Sequence, residues 1–434
     1  MNRLLKLPLL ALTAALAAQA IPAAAQDFII VNARLAIGDG SEPIDNGMVE
    51  VRGGKIVAAG PMPAGAPFET GTVYDVKGAW VTPGIFAAIT DLGLVDVGGV
   101  AESNDTRAGN TPFNIALDVS SSVNPAAQDI AVSRAGGVTR AIITPSAAGS
   151  IFAGQGAIID LGADPDAVTM PRAFQMVMLG ETGSRLAGGS RVATNVALRN
   201  ALREASEFAA GTWEGEQALL TRADVAALVP VISGKQKLYI HVERAADIRA
   251  VLAMRSEFPK LDMVLIGASE GWLVASQLAA ANVPVIADPL DDLPASFEQL
   301  AATQSNVGRM VAAGVRVAIG GMTGTEQPRN AVQYAGNLVA LSKVPRASGL
   351  SWGQALASIT SVPASISGMG GKLGSLTPGA AGDVVIWDGD PLELSSAPLQ
   401  VFIDGVEQPV DNHQTRLRDR YRDLDESELP KAYD

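Results

Sequence analysis

The stretch of residues 374–391, GSLTPGAAGDVVIWDGDP, has the pattern of a turn, a strand and a second turn. Pro378 and Gly379 favour the first turn, Asp383–Trp387 is a short apolar run typical of a strand, and the closing Asp-Gly-Asp-Pro favours the second turn. A similar alternation of short apolar runs and glycine-rich turns occupies residues 28–82. We therefore expect the two ends of the chain to contribute strands to one small sheet domain.

Between these ends the pattern changes to apolar strand, loop and alanine-rich helix. Buried parallel strands are predicted at seven apolar runs: Ile85–Thr90, Thr139–Thr144, Phe174–Leu179, Leu238–His241, Met263–Ile266, Val283–Ile286 and Val315–Ile319. Helices are predicted at Ala246–Phe258, Gly271–Ala281 and Trp352–Ser361. This repetition closes most naturally as an eight-stranded barrel, and we expect the missing strand between Leu179 and Leu238.

The predicted fold class is α/β: a distorted (β/α)₈ TIM barrel plus a small composite β-sandwich formed by the N- and C-terminal segments. The predicted boundaries are a signal peptide at 1–25, the composite domain at 26–82 with 374–412, the barrel at 83–373 and a charged tail helix at 413–434.

Composition excludes several chemistries. The 434 residues include no cysteine and only two histidines, so thiol catalysis, disulfides and cysteine-ligated metals are impossible. With 32 Lys+Arg against 45 Asp+Glu, the net charge of −13 argues against nucleic acid and anionic membranes as partners. A small-molecule or peptide-like substrate is the expected ligand, and a homo-oligomer is the expected assembly.

The start of the chain has the pattern of a secretory signal. Arg3 and Lys6 precede an apolar run, and Ala23–Ala25 before Gln26 forms a small-residue cleavage site. The apolar run is short for a membrane span. We expect cleavage after residue 25, a periplasmic or secreted mature protein, and no stable membrane insertion after cleavage.

Residues 374–391 resemble the C-terminal signature of the amidohydrolase superfamily. Val81–Ile85, VTPGI, resembles the linker that leads into the first barrel strand of those enzymes, and Ser358–Ala364 resembles the helix before the return to the sheet. The resemblance covers nearly the whole mature chain and is closest to the imidazolonepropionase-like branch. It implies hydrolysis of carbon–nitrogen bonds other than linear peptide bonds, by one or two divalent metals at the C-terminal mouth of the barrel.

The family's metal ligands are a His-x-His pair on the first strand, a carboxylated Lys or a Glu on the fourth, His on the fifth and sixth, and Asp on the eighth. By this resemblance, the first-strand pair falls on Ile89 and Asp91, the sixth-strand His on Gly267 and the eighth-strand Asp on Met322. The fifth-strand His is retained as His241.

The fourth-strand lysine has no counterpart, because no Lys occurs between Gly78 and Gly234. Glu181, just after an apolar strand, is the carboxylate that we nominate instead. We therefore predict that the dinuclear centre is lost. The protein is then either inactive or works through a reduced catalytic site of Asp91, His241 and Glu243.

No cofactor is expected apart from, at most, one divalent cation held by His241, Asp91 and Glu181. Such an oxygen-rich set suits Mg²⁺, Mn²⁺ or Ca²⁺ better than Zn²⁺.

Two alternatives remain open at this point. One is a non-catalytic binding or partner subunit of an intact amidohydrolase. The other is a serine hydrolase, because Gly267–Gly271, GASEG, places Ser269 between a strand and a helix as in a nucleophile elbow, with Asp288 and His413 following in order.

Overall fold

The computed structural model describes residues 25–63, 71–289, 291–323 and 327–422. The predicted signal peptide, apart from Ala25, and residues 423–434 of the predicted tail lie outside the described residues. Within the described part of the chain, no helix combines the length and apolar content needed to cross a bilayer.

The strands, numbered in chain order, are β1 Phe28–Leu35, β2 Ile44–Arg52, β3 Lys55–Pro61, β4 Thr72–Asp75, β5 Trp80–Pro83, β6 Ile85–Thr90, β7 Val138–Ile143, β8 Phe152–Asp160, β9 Val168–Met178, β10 Lys237–Val242, β11 Met263–Gly267, β12 Val285–Ala287, β13 Val317–Met322, β14 Val384–Trp387, β15 Pro398–Ile403 and β16 Val406–Gln408. The α-helices are α1 Gln128–Ala135, α2 Gly180–Leu186, α3 Arg191–Ala210, α4 Arg222–Ile232, α5 Ala245–Ala253, α6 Ala275–Ala280, α7 Asn306–Ala312, α8 Ala331–Leu341, α9 Trp352–Ala357, α10 Ser361–Ile366 and α11 His413–Tyr421.

Both ends of the chain contribute to one eight-stranded sheet, as the terminal segments predict. Its order is β16-β15-β14-β5-β1-β2-β3, and β4 also pairs with β1. The C-terminal strand β14 pairs antiparallel with β5, with Val385 opposite Thr82. The strands form one connected sheet that branches at β1, rather than the two separate sheets that the predicted sandwich implies.

The central segment forms a closed barrel in the order β10-β11-β12-β13-β6-β7-β8-β9. The seven predicted strands are all present, with small differences at their ends. The prediction of the eighth strand is wrong: residues between Leu179 and Leu238 form helices α2, α3 and α4, and the remaining barrel strand is β8. It runs antiparallel to both of its neighbours, β7 and β9.

The reversal of β8 has a local explanation in the sequence. An antiparallel neighbour needs only a short connection, whereas a parallel neighbour needs a crossover of a dozen or more residues. β8 contains Gly154 and Gly156, and a Gly-x-Gly pattern is more typical of a turn than of a strand. A side chain at 156 would have no room, because its Cβ would lie 2.1 Å from the Phe174 ring.

The interior of the barrel is a packed apolar core and not a channel. Phe174 stacks on Tyr239 with ring centroids 4.0 Å apart. Other buried side chains of this cluster come from strands all around the barrel and from α10: Phe86, Ile142, Ile158, Val264, Ile266, Ile286, Ala364 and Ile366. Any reactive site must therefore lie at the end of the barrel, at the loops that follow the strands.

The predicted helices are present but shorter or divided. Ala246–Phe258 coincides with α5 and the 3₁₀ turn that follows it, Gly271–Ala281 with a 3₁₀ turn and α6, and Trp352–Ser361 with α9. The tail helix α11 begins after Asn412, whose side chain accepts hydrogen bonds from the first turn.

A buried charge cluster joins the barrel to the sheet. Arg140 of β7 donates to both carboxylate oxygens of Asp383, at 2.7 and 2.9 Å, and lies 2.8 Å from Asp404. Asp160 of β8 lies 3.7 Å from the same guanidinium group. One cation therefore faces three carboxylates, and burial, opposed by the charge of Arg140, raises the pKa of Asp160 to about 6.

We expect Asp160→Asn to stabilise the protein at pH 8. Because the folded-state pKa of Asp160 lies above its unfolded value, the ionised carboxylate destabilises the fold as pH rises from about 4 through about 6. An uncharged amide avoids this loss and keeps an oxygen to accept the backbone N–H of Gly162. Urea unfolding should show a gain of about 1 to 3 kcal/mol at pH 8 and little gain at pH 4.

The exposed Asp166, on the turn that follows β8, is the matched control: Asp166→Asn should change the free energy of unfolding little at either pH. Equal unfolding free energies of wild type and Asp160→Asn at pH 8 would contradict the account of this cluster.

Candidate active site at the barrel mouth

His241 and Glu243 lie at the carboxyl end of β10. The strand pairs with β11 so that His241 is opposite Ile266 and Val242 is opposite Gly267. On the other side, the carbonyl of His241 accepts the N–H of Leu179, directly after β9. This register places Glu243 next to the end of β11.

The carboxylate of Glu243 is buried and accepts three hydrogen bonds. Its Oε1 lies 3.1 Å from Nε2 of His241. Its Oε2 accepts the backbone N–H of Ser269 at 2.8 Å and the Ser269 hydroxyl at 2.7 Å. Charged hydrogen bonds of this kind compensate the desolvation of a buried carboxylate.

The loop that follows β12 extends this network. Asp291 Oδ2 lies 2.9 Å from the Ser269 hydroxyl, and the side-chain amide of Gln299 lies 3.1 Å from that hydroxyl and 3.2 Å from Asp291. We call His241, Glu243, Ser269, Asp291 and Gln299 the mouth network.

The electrostatics of the mouth network favour an ionised Glu243. Burial raises the pKa of Glu243, but the bond and charge of His241 and the two bonds from Ser269 outweigh it, so the net pKa is lowered. For His241, burial lowers the pKa. The hydrogen bond and charge of Glu243 and the charge of Glu298 raise it by more, so the net pKa is above its ordinary value. Burial and the nearby Glu243 raise the pKa of Asp291, and the contact with the Ser269 hydroxyl opposes this rise.

Gly267 has no room for a side chain. Its φ of +82° lies in the left-handed region that favours glycine. A Cβ built on Gly267 would lie 2.2 Å from Oε1 of Glu243 and 2.7 Å from its carboxyl carbon. The Glu243 carboxylate therefore occupies the space at the position where the family has its sixth-strand histidine.

A second group of charges lies beside the mouth network. Arg191, at the start of α3, donates to Asp247 at 3.1 Å and to the buried Glu298 at 3.0 Å, and lies 3.8 Å from Glu181. Glu298 also accepts the backbone N–H of Glu181 at 2.6 Å. Glu181, nominated as a metal ligand, thus lies against a guanidinium group.

Asp91 occupies a different crevice. It follows β6 and lines a small recess with Asp129, Ser133 and Gln327. Burial and the charge of Asp91 raise the pKa of Asp129. In the barrel order, β6 lies four strands from β10, so Asp91 and His241 belong to opposite sides of the barrel. The structure brings His241 and Glu243 together, but it does not bring Asp91 to them.

Ile89 and Met322, the other substituted ligand positions, lie on adjacent strands, but their side chains belong to different hydrophobic clusters. Met322 is opposite Thr90 in the pairing of β13 with β6, and both Ile89 and Met322 are buried. Ile89 has a φ of +57°, which is unusual for a β-branched residue, and lies at a register shift between β6 and β7. This edge of the mouth offers hydrocarbon in place of donor atoms.

Ser269 lies between β11 and a 3₁₀ turn, at the position that the serine-hydrolase alternative requires. Ser269 is only 2% exposed, and its hydroxyl is held by two carboxylates and Gln299. In the described residues, none of its hydrogen bonds is with His413, which begins α11 and is exposed. Ser269 is therefore a structural donor to Glu243 in this arrangement.

Comparison with known proteins agrees with this architecture. A model of the "Amidohydrolase family" matches residues 239–407. The amidohydrolase TasK of Hapsidospora irregularis is 26% identical over 387 residues, which are 80% of this chain and 38% of that protein. The imidazolonepropionase of Caulobacter vibrioides is 39% identical over 70 residues, which are 15% of this chain and 18% of that protein. The chain thus spans well under half the length of these curated relatives.

Solved structures show the same fold. A crystal structure of an amidohydrolase from Thermotoga maritima superposes with a TM-score of 0.76 at 22% identity, over 88% of this chain and 99% of that one. A zinc-bound adenosine deaminase from Xanthomonas campestris superposes with a TM-score of 0.51 at 17% identity, over 92% and 98% of the two chains. The fold is TIM-barrel-like α/β, and the match of residues 239–407 to the amidohydrolase family agrees with the resemblance seen in the sequence motifs.

The residues present do not fit the metal centre of that superfamily. His241 directs Nε2 at Glu243, the space at Gly267 is filled, and Arg191 already supplies positive charge to Glu181 and Glu298. Within residues 25–422, as far as they are described, no group of three or more His, Asp or Glu side chains has the arrangement of a metal site. The roles predicted for Asp91 and Glu181 as ligands stay predictions.

Sequence reasoning missed Asp291, Glu298, Gln299 and Arg191. Three of them lie in one polar segment after β12, where loops at the carboxyl ends of barrel strands commonly carry functional groups. That position was the available signal, but the pairing of these residues with Ser269 and Glu181 depends on how the loop folds back.

Two substitutions in the mouth network should have different effects on stability, because the pKa of Glu243 is lowered and that of Asp291 is raised. Glu243→Gln should lower the free energy of unfolding at pH 7 by about 2 kcal/mol, because it removes the charge from three hydrogen bonds. Asp291→Asn should leave it unchanged or raise it, because the pKa of Asp291 is raised and its ionised form is disfavoured in the folded state.

The effect of Glu243→Gln should depend on pH in a definite direction. The contribution of Glu243 is present above its unfolded pKa and is lost as pH falls through its lowered folded pKa. The contribution of His241 is full below its unfolded pKa of about 6.5 and is lost as pH rises through its raised folded pKa. Urea titrations should therefore show the largest difference in unfolding free energy between Glu243→Gln and wild type near pH 5 to 6.5. A difference that grows towards pH 9 would contradict this account of the pair.

Proposed function

We propose that this protein has the amidohydrolase frame for binding compounds with a carbon–nitrogen bond, and that metal-dependent hydrolysis by this chain is reduced or absent. The observation that carries the proposal is the position of the Glu243 carboxylate, which fills the space beside Gly267 and holds Nε2 of His241. Because a metal-bound water is the nucleophile in this superfamily, loss of the metal removes the main source of rate enhancement.

The match of residues 239–407 to the amidohydrolase family supports the class of substrate. The chain matches 38% of TasK and 18% of imidazolonepropionase, so it shares only part of each of these proteins. The proposed ligand is a small amide-like or ring compound that enters at the barrel mouth. There His241, the retained fifth-strand histidine, has a side chain that is 23% exposed. In this proposal His241 and Glu243 are the residues on which any residual activity depends.

Export is the second part of the proposal. Arg3, Lys6 and the Ala23–Ala25 cleavage motif support secretion, and the acidic composition is compatible with a soluble periplasmic protein after processing.

Metal content and activity test the first part. The full chain, purified without chelators, should contain well under one equivalent of zinc, manganese or iron by mass spectrometry. Turnover of dipeptides, cyclic imides and N-acyl amino acids should be at least a hundredfold below that of an intact amidohydrolase assayed in parallel. Any residual turnover should resist chelators and fall on His241→Ala, while Asp166→Asn, a remote surface change, should leave it unaltered.

One clear result would contradict this proposal: stoichiometric metal that is lost on His241→Ala, together with activity that a chelator abolishes and zinc restores.

N-terminal sequencing tests the export. Expressed with its native start in a Gram-negative host, the chain should be recovered from the periplasmic fraction with Gln26 as its first residue. Replacing Ala23 and Ala25 by bulky residues should leave the precursor uncut. Recovery of uncut chain in the cytoplasm from the native sequence would argue against a signal peptide.

A further inference from the structure

We infer that Glu243 itself excludes a metal from the barrel mouth, because its carboxylate stands in the place of the sixth-strand ligand and cross-links the loops that a metal would otherwise hold together. This inference rests on the proposed function and deepens it. If only the ligands were missing, restoring a histidine could rebuild the site. If Glu243 occupies the space, restoring the histidine alone cannot rebuild it.

The first step is volume. A Cβ at position 267 would lie 2.2 Å from Oε1 of Glu243, 2.7 Å from its carboxyl carbon and 2.8 Å from Oε2. All three neighbours belong to one side chain, and no backbone atom is among them. The Glu243 carboxylate is therefore the nearest obstacle to a side chain at this position.

The second step is that the Glu243 carboxylate cannot readily swing away. It is held by the backbone N–H and hydroxyl of Ser269 and by Nε2 of His241. Leaving this position would strand a buried N–H and a buried hydroxyl without their acceptor. A residue at 267 therefore competes with three hydrogen bonds.

The third step is that these bonds perform the cross-linking function of a metal. Glu243 follows β10, Ser269 follows β11, and Asp291 and Gln299 belong to the loop after β12. The network thus joins three consecutive connections at the mouth. Metal ligands on successive barrel strands would join the same elements through the ion.

A double-mutant cycle on thermal stability tests the inference without any metal. Gly267→Ala is made in wild type and in Glu243→Ala, and the fall in melting temperature caused by the alanine at 267 is compared. The strain of a left-handed φ is present in both backgrounds and cancels, so the difference reports the clash with Glu243. We expect the fall to be at least halved in the Glu243→Ala background.

Gly321 provides the matched control. It also has a positive φ, +91°, and lies near the mouth on β13, but a Cβ there would meet no atom within 4 Å. Gly321→Ala should lower the melting temperature by the same amount in both backgrounds. If Glu243→Ala does not fold, Glu243→Asp, whose carboxylate is one methylene shorter, replaces it in the cycle. An equal effect of Gly267→Ala in both backgrounds would overturn the inference.

Zinc binding gives a second readout. Gly267→His alone and the Glu243→Ala/Gly267→His pair are titrated with zinc against a chromophoric chelator. The double variant should bind zinc at least tenfold more tightly than the single one. Equal affinities, including no detectable binding by either variant, would overturn the inference. Since wild-type activity enters neither readout, a metal-dependent activity in wild type would refute the proposed function by itself and would leave these outcomes separately interpretable.

Discussion

A buried carboxylate requires hydrogen-bond donors on every side, and at the mouth of this barrel that requirement falls on Glu243. It is met by a histidine on the same strand and by a serine on the next. β10, β11 and the loop after β12 all contribute to the network that surrounds this carboxylate. The same side chain explains why glycine occupies position 267, so that one interaction accounts for both the geometry and the composition of the site.

Much of the fold could be predicted from the sequence because its signals are local. Apolar runs followed by alanine-rich segments located seven barrel strands, and turn residues around Asp383–Trp387 located the return to the sheet. β8 was missed because its glycines are typical of turns, and because its close contact with Phe174 of β9 is a contact between strands that the local sequence does not show. The outer helices are likewise less regular than the repeating pattern suggested, with 3₁₀ turns in place of some helical residues.

The site was predictable only in part, for a related reason. His241 and Glu243 were found because they end a recognisable strand, two residues apart on the sequence. Asp91 follows an equally recognisable strand, but it lines a recess with Asp129 on the opposite side of the barrel. The partners that decide the chemistry of the mouth, Asp291 and Arg191, come from loops and helix ends whose position is set by tertiary packing. Ile89 illustrates the same limit, because its left-handed φ, costing of the order of 1 to 3 kcal/mol, is invisible in the sequence.

The reversed direction of β8 also changes which connecting loops lie at the mouth of the barrel. In a barrel of eight parallel strands, every strand delivers a loop to the same end, whereas here the hairpin between β8 and β9 turns at the opposite end, close to β16, where the N–H of Ala163 is bonded to Gln408. Fluorophores, affinity handles or tethers could be introduced at the exposed residues 163–166 without approaching His241. The hairpin therefore gives this scaffold an attachment point that an all-parallel barrel would lack at that place in its chain.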